Sequence, residues 1–314
     1  MKKNKTTFFM VLFFFIGLMI LLYPSISSYT NDKIQSKAVN NYEEVLKNIT
    51  KKDYEKFFKD AEAYNKKLKK LVNPLISYKN IGGTKGILDF TGTGMIGYVI
   101  IDKIKVELPI YYGTSDEILN TSAGLLEGTS FPIGGKGTHA VLSAHRGLPS
   151  SKLFTDLNKV EIGDTFTIKV YDRIMTYEVD QILIVQPKEV DSLAINSKED
   201  YVTLMTCTPY GINSHRLLVR GHRVENPKMK SYVSTEAFKV NRLIVTVIAC
   251  MPLIFFWLIV IAFTPVKNND NNNIYNGYIY PNKTKFSNKG NWYEKEDNKF
   301  YINYNINDIM YVKC

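Results

Sequence analysis

Residues 203–221 read TLMTCTPYGINSHRLLVRG. The short apolar run from Val202 has the composition of a β-strand and ends on one cysteine, Cys207; His215, Arg216 and Arg220 follow closely. Three uses of that thiol are open: a small buried hydrophobe, a metal ligand or a nucleophile. Alternate residues of a strand face opposite sides, so Arg216 and Arg220 share a face and spacing alone does not choose between them.

The same texture extends upstream. From Gly94 onward, short β-rich runs recur at Ile96–Ile101, Ile104–Ile110, Ala140–Ala144, Thr165–Val170, Met175–Val179 and Val202–Thr206, punctuated by Gly, Asp and Pro. No long amphipathic helices alternate with them, which argues against a parallel α/β sheet. The pattern predicts a mainly β fold, a barrel or sandwich of about 140 residues. Before it, two helical periodicities appear within residues 31–71. The first carries Ile34, Ala38, Tyr42, Val45, Leu46 and Ile49; the second carries Tyr54, Phe57, Phe58, Ala61, Tyr64 and Leu68.

Two apolar segments flank these regions. Phe8–Tyr23, preceded by Lys2, Lys3 and Lys5 and ended by Pro24, reads as an uncleaved signal anchor within residues 1–30. Leu243–Phe263 is uncharged and long enough to cross ~30 Å of hydrocarbon, so residues 243–265 are expected to form a second span, with Pro252 tolerable inside it. The Lys-rich amino end is expected to stay cytoplasmic, which places residues 24–242 outside the cell and the tail from Val266 back inside. Lys239 and Arg242, in or beside the juxtamembrane segment 229–242, weaken that charge asymmetry slightly.

The chain has 314 residues, 45% of them apolar, and a net charge of +10. Lys is scattered among Asp and Glu, no nucleic-acid recognition motif accompanies it, and no nucleic-acid partner is expected. Of three cysteines, Cys207 alone lies in the outer region; Cys250 falls within the second span and Cys314 ends the chain. A thiol without a disulfide partner outside the membrane is a candidate for reactivity. The tail 266–314 is rich in Asn and Tyr and has no assigned role.

A catalytic thiol, with an ordinary pKa of about 8.5, needs a base or a cationic neighbour, and a tetrahedral intermediate needs donors beside its oxyanion. His145 ends the run THAVLSAH and precedes the natural turn Arg146-Gly147, so it could meet Cys207 at adjacent strand ends. A zinc site from Cys207, His215 and His222 lacks the expected paired spacing. GTGMIG at Gly92–Gly97 leads into a β-like run rather than a helix, which argues against a dinucleotide loop. The sequons at Asn48, Asn120 and Asn282 are weak patterns. No metal and no cofactor is expected.

TLMTC at 203–207 closely resembles the TLxTC signature of sortases, with His145 upstream in SAHRG and Arg216 downstream in SHRLLVRG. The resemblance runs from GMIGYVIIDKIKVELPIYYGTS through GLLEGTSFPIGGKGTHAVLSAHRG to TCTPYGINSHRLLVRGHR, in the style of the class C, pilin-polymerising sortases. It implies an eight-stranded β-barrel over 91–228, at the surface of a Gram-positive cell, preceded by a helical lid region over 31–90. It further implies that Cys207 is the nucleophile attacking the Thr–Gly carbonyl of an LPxTG-like sorting signal. His145 then handles the protons of the leaving and incoming amines, and Arg216 positions substrate and holds the oxyanion, which singles it out from Arg220. A lysine amine of the next pilin would resolve the thioester. Thr206 is expected to line the site.

Class C lids carry an Asp-Pro-aromatic latch. The corresponding place here is Asn73-Pro74-Leu75, without the charge or the ring, so the latch is expected to hold loosely; Asp89-Phe90 is a poorer candidate. The long tail, residues 267–314, is a second departure from the class. The rival readings are a housekeeping-type sortase that attaches surface proteins to cell-wall peptide amines, and a non-catalytic membrane-tethered assembly protein.

Overall fold

β-Branched and aromatic runs separated by turn residues form eight strands, as such sequences favour a pleated, half-buried surface. They are β1 (Met95–Ile101), β2 (Val106–Tyr112), β3 (Ala123–Leu125), β4 (Thr138–Ser143), β5 (Thr165–Val170), β6 (Arg173–Val185), β7 (Asp200–Thr208) and β8 (His215–Val224). The structure, a computed structural model, describes residues 2–84 and 86–226, with Cys250 and Ile254. Apart from those two positions, the expected second span at 243–265 lies outside the described residues, as do the segment 229–242 and the tail 266–314.

The strands close into a barrel in the order β1-β2-β3-β4-β7-β8-β6-β5. Two of the neighbouring pairs, β2 with β3 and β4 with β7, are parallel, and the rest are antiparallel. The expected runs at 96–101, 165–170 and 202–206 reappear as β1, β5 and β7 within two residues at each end. β3, three residues long, is too short to show a period and went unseen in the sequence.

Strand alternation divides the barrel residues between two apolar clusters. Ala140 and Leu142 of β4, Val202 and Leu204 of β7, and Leu217 and Val219 of β8 belong to the main core. Val141, Met205 and Leu218, on the opposite faces, join Leu75, Leu126 and Leu193 in a smaller second cluster.

Helix α1 runs unbroken from Lys2 to Leu46 with Pro24 inside it. One proline removes one hydrogen bond, whereas ending a helix and starting another leaves up to eight backbone groups to satisfy. Among the described residues α1 alone is long and apolar enough to cross a membrane, and the most apolar part of its stretch Val11–Leu46 has mean hydropathy 2.1.

Past the apolar part, α1 packs on the barrel through Val39 and Tyr42. The buried hydroxyl of Tyr42 donates to the Ile96 carbonyl at 2.8 Å and accepts the Tyr171 N–H at 3.1 Å. Helix α2 (Lys51–Leu68) starts at Thr50, whose hydroxyl accepts the Asp53 N–H, and its buried face is Phe58, Ala61, Tyr64, Asn65 and Leu68. Asn65 docks it in the manner of a strand. Its amide donates to the Phe131 carbonyl at 3.0 Å and accepts the Phe131 N–H at 2.8 Å, all buried.

Candidate active site

Antiparallel pairing of β7 and β8 sets Cys207 opposite Arg216. Both have the parity of Met205 and Leu218 on their strands, so they lie on the face of the second cluster, away from the main core. Each is only 8% exposed. The Arg216 guanidinium donates from Nη1 to the carbonyls of Asn213 and His215, both at 3.1 Å. The β7–β8 turn is itself closed by Asn213 N–H donating to Pro209 O at 2.9 Å. The cation is therefore aimed by a rigid turn beside the thiol.

The parallel pair β4–β7 brings the third residue. Ser143 pairs with Met205, and the ladder continues one step further as Ala144 N–H donates to Met205 O at 3.1 Å. The next step on each strand brings His145 and Cys207 to neighbouring strand ends. The His145 carbonyl accepts the Phe154 N–H at 3.1 Å, which fixes the turn that follows. Burial holds the His145 imidazole below its ordinary pKa, and the charge of Asp116 partly opposes this. Asp116 opens the short helix α4 (Asp116–Leu119; α3 is Pro74–Ser77).

The expected site residues thus divide. Cys207, His145 and Arg216 converge at three strand ends. Thr206 does not line the cleft: it is fully buried on the other face, and its hydroxyl donates to the Ala144 carbonyl at 2.7 Å. It braces β7 against the strand end that delivers His145. Arg220 stands opposite Thr203, and its guanidinium makes two 3.0 Å bonds to Asp180 and lies over the Tyr201 ring. His215 shares a 2.8 Å hydrogen bond with the Ser214 hydroxyl, and His222 pairs with Tyr201, six strand positions from Cys207. At ~3.4 Å per strand residue, His222 is about 20 Å along the strand from the thiol.

The lid segment lies over the second cluster. Pro74 opens α3, and Leu75 is buried against Leu126, Val141, Leu193, Met205 and Leu218. Asn73 is exposed and its carboxamide makes no capping bond, so the contact of this segment is apolar, through Leu75, rather than polar through Asn73. Burying one leucine contributes about 1.5–3 kcal/mol. Gly128, which has φ +80°, carries no local signal of its role. A Cβ there would stand 2.9 Å from Leu75 Cα and 3.0 Å from Pro74 O, so the bare glycine lets the lid backbone come down. Asp89 and Phe90 serve elsewhere. Asp89 accepts the Gly94 N–H at 2.9 Å, and Phe90 is buried among Tyr42, Phe57 and Tyr171.

Two more residues were missed. Arg146 Nη1 donates to the Thr208 hydroxyl at 2.9 Å, tying the turn after His145 to the residue after Cys207. His139, buried on β4, bonds Thr203 Oγ1 at 2.8 Å and Ala194 O at 3.0 Å, and burial lowers its pKa to about 4.

Comparison with known proteins follows the same outline. The sortase domain family matches residues 99–224. Sortase C1 from Streptococcus agalactiae is 44% identical at a TM-score of 0.55, over 61% of this chain and 100% of that one. Sortase C-1 from Streptococcus pneumoniae is 41% identical at 0.55, over 61% and 100%. A Clostridium perfringens sortase C, solved with the C-terminal cell wall sorting motif, is 41% identical at 0.53, over 61% and 100%. Curated relatives are more distant: sortase A of Streptococcus agalactiae is 28% identical over 117 residues, 36% of this chain. The chain spans 47% of the length of that relative.

Proposed function

This chain belongs to the sortase family, and within it to class C; on that premise we propose that it is a membrane-anchored cysteine transpeptidase that polymerises pilin subunits. The observation that carries the proposal is the cross-strand pair Cys207–Arg216 with His145 at the adjoining strand end.

In this reading the Cys207 thiol gives its proton to His145, its sulfur attacks the Thr–Gly carbonyl of an LPxTG-like sorting signal, and the carbonyl electrons move onto oxygen. Arg216, already oriented by two backbone carbonyls, supplies charged donors to that oxyanion. Collapse breaks the C–N bond, His145 gives the leaving glycine amine its proton, and a thioester remains on Cys207. A pilin lysine amine then attacks the thioester, gives up a proton to His145 and releases the thiolate. The apolar seat now filled by Leu75 lies on the cleft face, so substrate entry requires the lid to lift. The continuous helix α1, apolar at its amino end, supports the anchor.

The test uses the full chain in detergent micelles, with an LPxTG-type peptide and a pilin domain bearing an acceptor lysine. Isopeptide-linked ladders and a peptide thioester on Cys207 are expected. Hydrolysis without ladders would favour the housekeeping-type sortase. No thioester on Cys207 under any condition would remove both enzymatic readings and leave the assembly protein.

A further inference from the structure

The helix that carries the apolar amino end also grips the loop that carries the histidine. Beyond His145 the chain makes a compact excursion over residues 146–155. Gly147 N–H donates to Thr155 Oγ1 at 3.0 Å, and Leu153 and Phe154 are fully buried. The outer part of this excursion has a partner on α1. Asn31 Nδ2 donates to the Ser150 carbonyl at 2.7 Å. One turn on, Gln35 Nε2 donates to Ser151 Oγ at 3.1 Å and to the Thr121 carbonyl at 2.8 Å.

Gln35 is 6% exposed and Ser151 2%, so these bonds form away from competing water. Thr121 follows α4, the helix that begins with Asp116. One buried carboxamide therefore joins two segments. The first runs back to His145, and the second carries the carboxylate whose charge acts on that imidazole. Cys207 and Arg216 stand on strands β7 and β8, held by the ladder itself, whereas His145 lies past the end of β4 and depends on its loop.

We infer that Gln35 is a positioning residue that, through Ser151 and Thr121, holds the His145 loop against the cleft. The inference rests on the sortase reading for its kinetic consequence, and on geometry alone for its effect on the imidazole. A shift of about 1 Å in a reacting group costs up to ~100-fold in rate, so loosening this clamp is expected to appear in kcat rather than KM.

The experiment compares the full chain with Gln35→Met, which keeps volume but removes both donors, and with Ser36→Ala on the exposed side of α1 as control. Peptide cleavage and the titration of the His145 ring, followed by NMR with labelled histidine and assigned from His145→Ala, are measured together. Gln35→Met is expected to lower kcat about tenfold with KM within twofold. The His145 midpoint should rise toward the ordinary value of 6.5 as its burial loosens. An unchanged kcat and an unchanged titration, with only a lower Tm, would overturn the inference. If Gln35→Met does not fold, Ser151→Ala tests the same clamp, with an expected loss of about threefold. If the wild-type chain cleaves no peptide, the sortase reading fails, and the histidine titration still decides the clamp.

Discussion

Cys207 and Arg216 face each other across one antiparallel rung, while Arg220, on the same face of β8, is four positions away opposite Thr203. At ~3.4 Å per residue that is about 14 Å along the strand, too far for a guanidinium to reach an oxyanion at the thiol. Arg220 is also spent on Asp180, at two distances of 3.0 Å.

The two arginines should respond differently to substitution. Arg216→Lys keeps the charge but loses the planar fork that two backbone carbonyls orient, and kcat/KM for the sorting-signal peptide should fall roughly 10²–10³-fold. Arg220→Lys should leave kcat within about threefold and lower Tm slightly, since a half-buried bidentate pair is replaced by a point charge. Equal losses of rate in the two variants would contradict the assigned register roles.

The lid should be released from either side of its contact. Leu75→Ala withdraws a buried side chain from an apolar seat, at a cost of about 2–3 kcal/mol to the closed lid. Gly128→Ala pushes the lid away, because the new Cβ meets Leu75 Cα at 2.9 Å and φ is +80°. Both should raise the rate of Cys207 modification by a thiol reagent, read by mass spectrometry to separate it from Cys250 and Cys314. Asn73→Ala should leave that rate unchanged, since the carboxamide caps nothing.

Acid should destabilise the barrel through His139. Its folded pKa, about 4, lies below the ordinary 6.5, so between these values the unfolded chain binds more protons. The stabilisation is complete above pH 6.5 and is lost as pH falls toward 4, by about 3 kcal/mol for this shift. Asp200, whose carboxyl is held above its ordinary pKa by burial, opposes this over part of the same range. Comparing denaturation from pH 7 to 4 in the wild type and in His139→Gln isolates the histidine. The variant should show a flatter profile, and an equal slope would refute the assignment.

Docking of α2 should depend on one amide. Asn65→Ala removes both bonds; the Phe131 carbonyl keeps the Ile133 N–H at 2.9 Å, but the buried Phe131 N–H loses its partner, for about 1–3 kcal/mol. Asn65→Asp should be at least as damaging, since it places a carboxylate oxygen against the Phe131 carbonyl. Calorimetric Tm values check both, and a change below 1 °C would show the pair to be dispensable.

Much of the architecture was legible because it is local. Short β-rich runs bounded by turn residues marked most strands, and spacings of three and four marked the buried faces of α1 and α2 near Tyr42 and Tyr64. The TLMTC stretch and its resemblance identified Cys207, His145 and Arg216. Misreadings fell where a residue's role depends on a distant partner. Thr206 braces Ala144 instead of lining the cleft, and Asn73 caps nothing while Leu75 fills the apolar seat. Gly128 and Gln35 carry no sequence signal for what they touch.

By itself, the sequence determined the mainly β fold, the choice of Cys207 as candidate nucleophile and the parity that puts Arg216 and Arg220 on one face. Only the tertiary structure decided the rung that sets Arg216 opposite the thiol, the strand pairing that brings His145 beside it and the apolar seat that Leu75 fills. Parity is written in each strand by its side-chain alternation. Register belongs to a pair of strands, and it emerges only when separate segments close the barrel.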